Sequence, residues 1–207
     1  SEISGSRKSC KVSHYTATDG LPSNSISYLT SDDYGYVWIA TWNGVSRFDG
    51  FNFYNYRTGI HSGIPGLHNR LDNLIVDQAQ NVWMKMYDGR IFVINRQTDC
   101  IIDPLANVSG HEDYHVDYFF NPYVTSTGDV LVSYGSNGLY KFHLDRTGLK
   151  SDLVTTGGLI VKSVAEGYHN DLWIGTDKGV HRLNTSNMAL ESKGFLLDEI
   201  EDRKSVV

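Results

Sequence analysis

The sequence predicts an all-β fold, a β-propeller of four-stranded antiparallel blades, on three observations. The stretch SDDYGYVWIATWNGVSRFDG at 31–50 reads as turn, strand, tight hairpin and strand, and it recurs along the chain. Its tryptophan returns at a fixed interval: Trp83 lies 45 residues after Trp38, and Trp173 lies 90 after Trp83. A copy is therefore due halfway between, and GDVLVSYGSNGLYKF supplies it with Leu131 in the tryptophan's place. A repeat of about 40 to 50 residues built of short strands is the mark of propeller blades, because one blade cannot bury its apolar faces without a neighbour.

Each part of the repeat has a local reason. Asp32 and Gly35 supply turn chemistry, as Asp77 does 45 residues later, and Val37–Thr41 is a β-branched and aromatic run suited to a strand. Asn43-Gly44 is the strongest short hairpin signal, since both residues tolerate the positive φ of a type I′ turn. Its counterparts are Asp88-Gly89, Asn137-Gly138 and Lys178-Gly179. The residues expected to carry the repeat are thus Asp32, Gly35, Trp38, Gly44, Asp77, Trp83, Gly89, Gly138, Trp173 and Gly179.

Taken in order, residues 12–16 precede the first copy and are expected to be a strand that closes the ring. Blade 1 spans 21–57, with 25–30 innermost and the alternating FNFYNYR outermost. Blade 2 spans 66–104, where Asn69 matches Asn24, and its outer strand lies near 100–103. Blade 3 spans 114–156, starts near Val116 and is least regular at HVDYFFNPYV. Blade 4 spans 158–193, with its outer strand near 188–192, and residues 203–207 look like the start of a fifth blade. Four copies and a beginning imply a piece of a larger ring, with seven blades expected.

Composition narrows the function. The chain has 207 residues, 40% hydrophobic and 20% charged, which is enough apolar material for a folded core. With 18 basic against 24 acidic residues the net charge is −6, the wrong sign for a phosphate-binding surface, and no basic run offsets it. No contact with nucleic acid is expected. No stretch has the apolar length of a membrane span or of a signal peptide core, so any such segment is expected to lie elsewhere or to have been removed. Cys10 and Cys100 are too few for a disulfide framework or metal site and are expected to be free. No cofactor is expected.

Three stretches resemble a known family: GLPSNSI at 20–26, DDYGYVWIATWNGVSRFDG at 32–50 and NDLWIGTDKGVHRL at 170–183 are similar to the two-component regulator propeller repeat. The resemblance implies the extracytoplasmic, periplasmic sensor region of a hybrid histidine kinase from gut bacteria that live on complex glycans. It implies an oligosaccharide or related breakdown product as ligand, and a homodimer. The signal would pass through a membrane segment to a kinase and a DNA-binding domain, none of which is in this sequence.

Ser31, Asp33, Gly35 and Trp38 also fit S-x-D-x-G-x-x-W, the aspartate box of sialidase-like propellers. That box is a folding device: a carboxylate ties a turn to backbone N–H groups and the tryptophan packs between sheets. A propeller glycoside hydrolase or lyase is the alternative it keeps open. A sialidase would need an arginine cluster and a tyrosine nucleophile with an acid partner. Arg47, Arg90 and Arg182 follow hairpin turns at non-equivalent offsets, and no tyrosine stands out. A protein-interaction scaffold like the WD-repeat propellers is a further alternative, but the repeats lack the terminal Trp-Asp dipeptide.

Four residues after each repeat position stand Trp42, Tyr87, Gly135 and Asp177, at the hairpin tips. In a propeller these tips share one face with the loops that join blades. Trp42, Asn43, Tyr87, Asp88 and Asp177 are therefore the candidate ligand residues, since aromatic rings suit sugar C–H faces and Asn or Asp suits hydroxyls. The competing reading is that Trp42 and Tyr87 only pad the hairpins. His61, His68, His111 and His115, with Glu112 and Asp113, fall in inter-blade loops at spacings that match no ligand pair, so no metal site is expected.

Overall fold

The computed structural model describes residues 12–56 and 70–191. Asn69, His61, His68, Cys10 and the expected start of a fifth blade at 203–207 lie outside the described residues. Blade 1 is β1 (Ile26–Ser31), β2 (Val37–Thr41), β3 (Gly44–Phe48) and β4 (Phe53–Tyr56). Blade 2 is β5 (Leu71–Val76), β6 (Val82–Met86), β7 (Ile91–Asn95) and β8 (Cys100–Ile102). Blade 3 is β9 (Tyr123–Val124), β10 (Val130–Ser133), β11 (Leu139–Asp145) and β12 (Gly148–Val154). Blade 4 is β13 (Val161–Glu166), β14 (Leu172–Thr176), β15 (Gly179–Asn184) and β16 (Ala189–Glu191). Each is an antiparallel meander in chain order, so the all-β propeller architecture stands. Among the described residues no helix is long and apolar enough to cross a membrane.

The repeat survives as register. Trp38 pairs with Thr30 and Arg47, Trp83 with Ile75 and Val93, Leu131 with Tyr123 and Lys141, and Trp173 with Ala165 and Arg182. The same rung of the second strand is thus occupied in all four blades. The core lies between blades: Trp38 clusters with Leu74, Val82 and Phe92 of blade 2, and Trp83 with Leu131 and Phe142 of blade 3. Sheets packed face to face in this way fix the rotation from one blade to the next.

The turn before each tryptophan shows which aspartate does the tying. Asp32 Oδ1 accepts the N–H groups of Tyr34 and Tyr36, and its Oδ2 accepts Trp38 Nε1 at 2.8 Å. Asp77 repeats this with Asn81 N–H and Trp83 Nε1. Burial pushes the Asp77 carboxyl above its ordinary value against the pull of those donors. Asp33, the residue the aspartate-box pattern aligns, instead bonds across to the next blade, exchanging two hydrogen bonds with the Gln80 amide. The other two blades lose the device for visible reasons. In blade 3 Thr125 replaces the aspartate, and Leu131 brings no indole N–H to answer it. In blade 4 the position is Gly167, where a Cβ would stand 2.6 Å from Trp173 Nε1.

One expectation needs correction. The hairpins are not type I′: Asn43 is not among the residues with positive φ, and only Gly44 is, at +110°. In blades 1 and 4 a threonine caps the tip, while blade 2 reaches one positive-φ glycine, Gly89, with Met86 in that place. Thr41 Oγ1 accepts Asn43 N–H and donates to Gly44 O, and Thr176 does the same with Lys178 and Gly179. This holds the two tip residues at negative φ and leaves one left-handed glycine to start the return strand, the arrangement of a glycine bulge. In blade 3 the turn at Gly138 is longer, with a 3-10 turn over Gly135–Asn137.

Residues 12–16 form no ladder with any described strand, and the later blade they are expected to close is not among the described residues. Thr16, itself extended, caps the 3-10 turn Ala17–Asp19, its hydroxyl accepting Thr18 N–H while the Asp19 carboxylate accepts Thr16 N–H. Tyr15 then packs on Phe48 and Phe53 at the rim of blade 1.

Blade 3's irregular opening also has a physical cause. Only Tyr123–Val124 pairs as its inner strand. The preceding segment, 117–120, is held by a side chain of blade 2: buried Lys85 donates to the carbonyls of Tyr118 at 2.6 Å and Phe120 at 2.8 Å.

Candidate functional site: the hairpin-tip face

One backbone hydrogen bond ties the tips of blades 1, 2 and 4 each to the residue that precedes its own inner strand. Trp42 N–H donates to Ser25 O, Tyr87 N–H to Arg70 O and Asp177 N–H to Ile160 O, at 3.0–3.1 Å. Fixed in this way, Trp42 and Tyr87 stand 52% and 54% exposed, which is unusual for such large rings in a packed fold. They meet on one side chain. Arg70 Cζ lies 4.0 Å from the centroid of the Trp42 ring and 3.6 Å from that of Tyr87, so its guanidinium is held between a blade 1 tip and a blade 2 tip. Cation–π attraction on both faces keeps the three groups as one unit.

Among the described residues Arg70 has no ion pair and no side-chain hydrogen bond, and its Nε is buried without an acceptor. The acid beside it is already taken. Burial alone would raise the Asp88 carboxyl, but Arg90, 2.7 Å away, holds it below its ordinary value.

Of the five residues expected to form the ligand face, the structure therefore brings Trp42 and Tyr87 together and assigns the others supporting bonds. Asn43 Nδ2 donates to Pro22 O, and the Asp88 backbone carbonyl is bonded to the His115 ring. Asp177 Oδ1 accepts Ile160 N–H within blade 4, two blades away from Tyr87. Arg70 was missed. Its signal was present in the period, since it lies 45 residues after Ser25, but its meaning depends on Trp42, which only folding brings near.

On the far side of the same β6–β7 hairpin, Arg90, Phe92, Asp103, His111, Glu112 and Tyr114 help line a cavity of about 210 Å³. His111 places both ring nitrogens on acceptors, Val108 O at 2.7 Å and Asp103 Oδ2 at 2.8 Å. Burial would lower its pKa, yet these bonds and the Asp103 charge hold it above the ordinary histidine value. Among the described residues no group of three or more His, Cys, Asp or Glu side chains could hold a metal ion. Cys100 is free and exposed. Arg47, Arg90 and Arg182, which an acid-sugar hydrolase would need to converge, end instead on Asp99 and Asp88 of blade 2 and Asp171 of blade 4.

The fold is a β-propeller, and at its hairpin tips Trp42 and Tyr87 meet Arg70. Residues 20–43, in its first repeat, match the two component regulator propeller family, so the resemblance seen in the sequence is borne out there. The chain is similar in structure to the extracellular domain of a putative one-component system from B. thetaiotaomicron, with TM-score 0.52 and 22% identity over 81% of this chain and 22% of that one. It is also similar to virginiamycin B lyase from Staphylococcus aureus, with TM-score 0.52 and 16% identity over 79% of this chain and 53% of the lyase. A streptogramin B lyase aligns at TM-score 0.53 and 16% identity, over 83% and 55%. The chain thus spans from about a fifth to about half the length of these proteins, and at such identities the likeness is one of fold. No curated protein matches the sequence.

Proposed function

We propose that this chain is part of the extracytoplasmic, periplasmic sensor region of a hybrid two-component signalling protein, and that it binds an oligosaccharide or related breakdown product on the hairpin-tip face. The family match over residues 20–43 supports the sensor reading. The ligand reading is carried by one observation: Trp42 and Tyr87, both half exposed, are braced against Arg70 on the face where propeller loops converge. Rings held rigid before binding lose little entropy when a sugar stacks on them. In this reading the region is non-catalytic, the four blades belong to a larger ring, the intact protein is a homodimer, and a membrane segment and kinase carry the signal onward.

The second reading, a propeller enzyme, is kept in view by the lyases that share the fold. A thermal-shift screen of the intact protein against defined oligosaccharides separates the two, because a ligand that binds only the folded state stabilises it by mass action, about 2.7 kcal/mol at 100 times Kd. The expected result is a shift with one glycan class, abolished by Trp42→Ala together with Tyr87→Ala. A shift that survives both changes removes the site from this face. Product accumulating on prolonged incubation, with no shift, would establish the enzyme instead.

A further inference from the structure

We infer that the Trp42–Arg70–Tyr87 layer is an anion site, and that Arg70 receives a carboxylate or sulfate group of an acidic glycan. The class of ligand rests on the carbohydrate reading above; the anion site does not. Two rings lie against the guanidinium carbon, at 4.0 and 3.6 Å, so what it offers a ligand is the N–H donors around its edge. That edge matches the two oxygens of a carboxylate or sulfate, a geometry a lysine ammonium cannot reproduce.

The charge pattern singles out this residue. In a chain of net charge −6, Arg47, Arg90, Arg96 and Arg182 each lie within 4 Å of a carboxylate, at 3.5, 2.7, 3.9 and 2.6 Å. Arg146 is exposed to solvent. Arg70 alone among the described arginines is both partly buried and without a carboxylate. The acids adjoining Tyr87 and Arg70 in sequence are already engaged, Asp88 with Arg90 and Asp72 with Lys85. Hydrogen bonding inside the fold does not explain Arg70 either, since its Nε is buried with no acceptor. What the fold provides is orientation: the tip hydrogen bond from Tyr87 N–H to Arg70 O fixes the backbone, and two rings fix the head group. A sugar ring stacked on the open side of Trp42 or Tyr87 would carry its acidic substituent to that edge.

The test is isothermal titration of the intact protein with matched pairs: galacturonate and glucuronate oligomers against their carboxyl-reduced forms, and sulfated oligosaccharides against their desulfated forms. One acidic member is expected to bind at least about tenfold tighter than its neutral partner, with affinity falling as salt rises. Arg70→Gln should weaken the acidic ligand by about 10- to 100-fold, the loss of one charged hydrogen-bonded contact, and weaken the neutral partner less, since that partner loses only the brace on the two rings. Arg70→Lys keeps the charge and a flexible stem, and should recover only part of the loss. Which pair discriminates tells carboxylate from sulfate.

Affinity for the acidic member that stays within twofold in Arg70→Gln, or equal binding of both members of every pair, overturns the anion site while leaving the carbohydrate reading intact. The reverse outcome is as readable: inorganic sulfate that raises the melting temperature of the wild type but not of Arg70→Gln, with no glycan bound, upholds the anion site and removes the sugar.

Discussion

Replacing Lys85 with methionine measures how far blade 3 depends on a side chain lent by blade 2. Lys85 stands two residues after the repeat tryptophan, where blade 3 has Ser133, whose hydroxyl donates to Val161 O of blade 4. The position therefore reaches toward the next blade's inner strand, and in blade 2 a long cation spans a gap that a serine bridges elsewhere. Methionine keeps the length and much of the volume but removes the ammonium. The bonds lost are those to Tyr118 O at 2.6 Å, Phe120 O at 2.8 Å and Asp117 O at 3.4 Å, and the ion pair with Asp72 at 3.4 Å. Phe120 is buried, so its carbonyl stays unpaired, at about 1–3 kcal/mol; Tyr118 is exposed, and water can replace part of its bond. The Asp72 side chain is 31% exposed and contributes under about 1 kcal/mol. The ammonium's own desolvation cost is returned and offsets part of this, so the net loss comes to about 1–3 kcal/mol. Urea unfolding reads it as a fall in midpoint at unchanged slope, and hydrogen exchange should show β9 and β10 losing protection first. Asp72→Asn should cost under about 1 kcal/mol, and the double variant should match Lys85→Met alone. A loss under about 1 kcal/mol for Lys85→Met, or an equal loss for Asp72→Asn, would refute the claim that the carbonyls anchor this segment.

Two further substitutions read single features of the fold. Gly89 and Gly35 have the same left-handed backbone, φ +86° and +85°, but a Cβ at Gly89 would meet Val116 O at 2.6 Å whereas none lies within 4 Å of Gly35. Gly35→Ala should cost about 1–2 kcal/mol for backbone strain alone, and Gly89→Ala about 1–3 kcal/mol more, because the Val116 backbone must give way; equal losses in chemical denaturation would remove the steric argument. His111 supplies a pH dependence: it bonds two acceptors only as imidazolium, with Asp103 and Glu112 the acids that face it and Arg90 and Tyr134 sharing its cavity. Its folded pKa is raised, so its stabilisation is complete below the ordinary value of about 6.5 and is lost as pH rises through the higher folded value. Unfolding midpoints from about pH 5.5 to about 9 should therefore fall more steeply for the wild type than for His111→Gln, and parallel curves would show that the histidine is not doubly bonded.

The parts of this fold that the sequence discloses are those set within a few residues. Asp32 and Trp38 are six apart and meet in one turn, so the repeat could be read from spacing, as could the glycine at each hairpin. The turn type could not, because Asn-Gly and Asp-Gly serve more than one turn, and the threonine that caps the blade 1 tip has no counterpart at Met86 in blade 2. The irregularity of blade 3 was visible in HVDYFFNPYV, but its cause lay in VWMKM, where a lysine sits among buried apolar neighbours. A charge inside such a run asks for partners, and the partners here come 32 to 35 residues later. The candidate site divides the same way. Trp42 and Tyr87 were found from their place in the period, while Arg70 acquires its role only when two blades are laid side by side.

That division follows from how a repeat allocates its positions. Rungs of the ladder are committed: they face a neighbouring blade, and their side chains are fixed by what the core will accept. The tip residue and the residue before the inner strand are joined by a backbone bond that any non-proline tip can donate, so their side chains are free to differ. They do differ, as Ser25 with Trp42, Arg70 with Tyr87 and Ile160 with Asp177, on an unchanged backbone. Recognition chemistry placed at these pairs costs the fold little, and adjacent pairs can combine across the blade boundary, as Trp42 does with Arg70. A ligand site in this architecture should then be sought where neighbouring tip pairs are chemically complementary, and among the described blades that condition is met between blades 1 and 2.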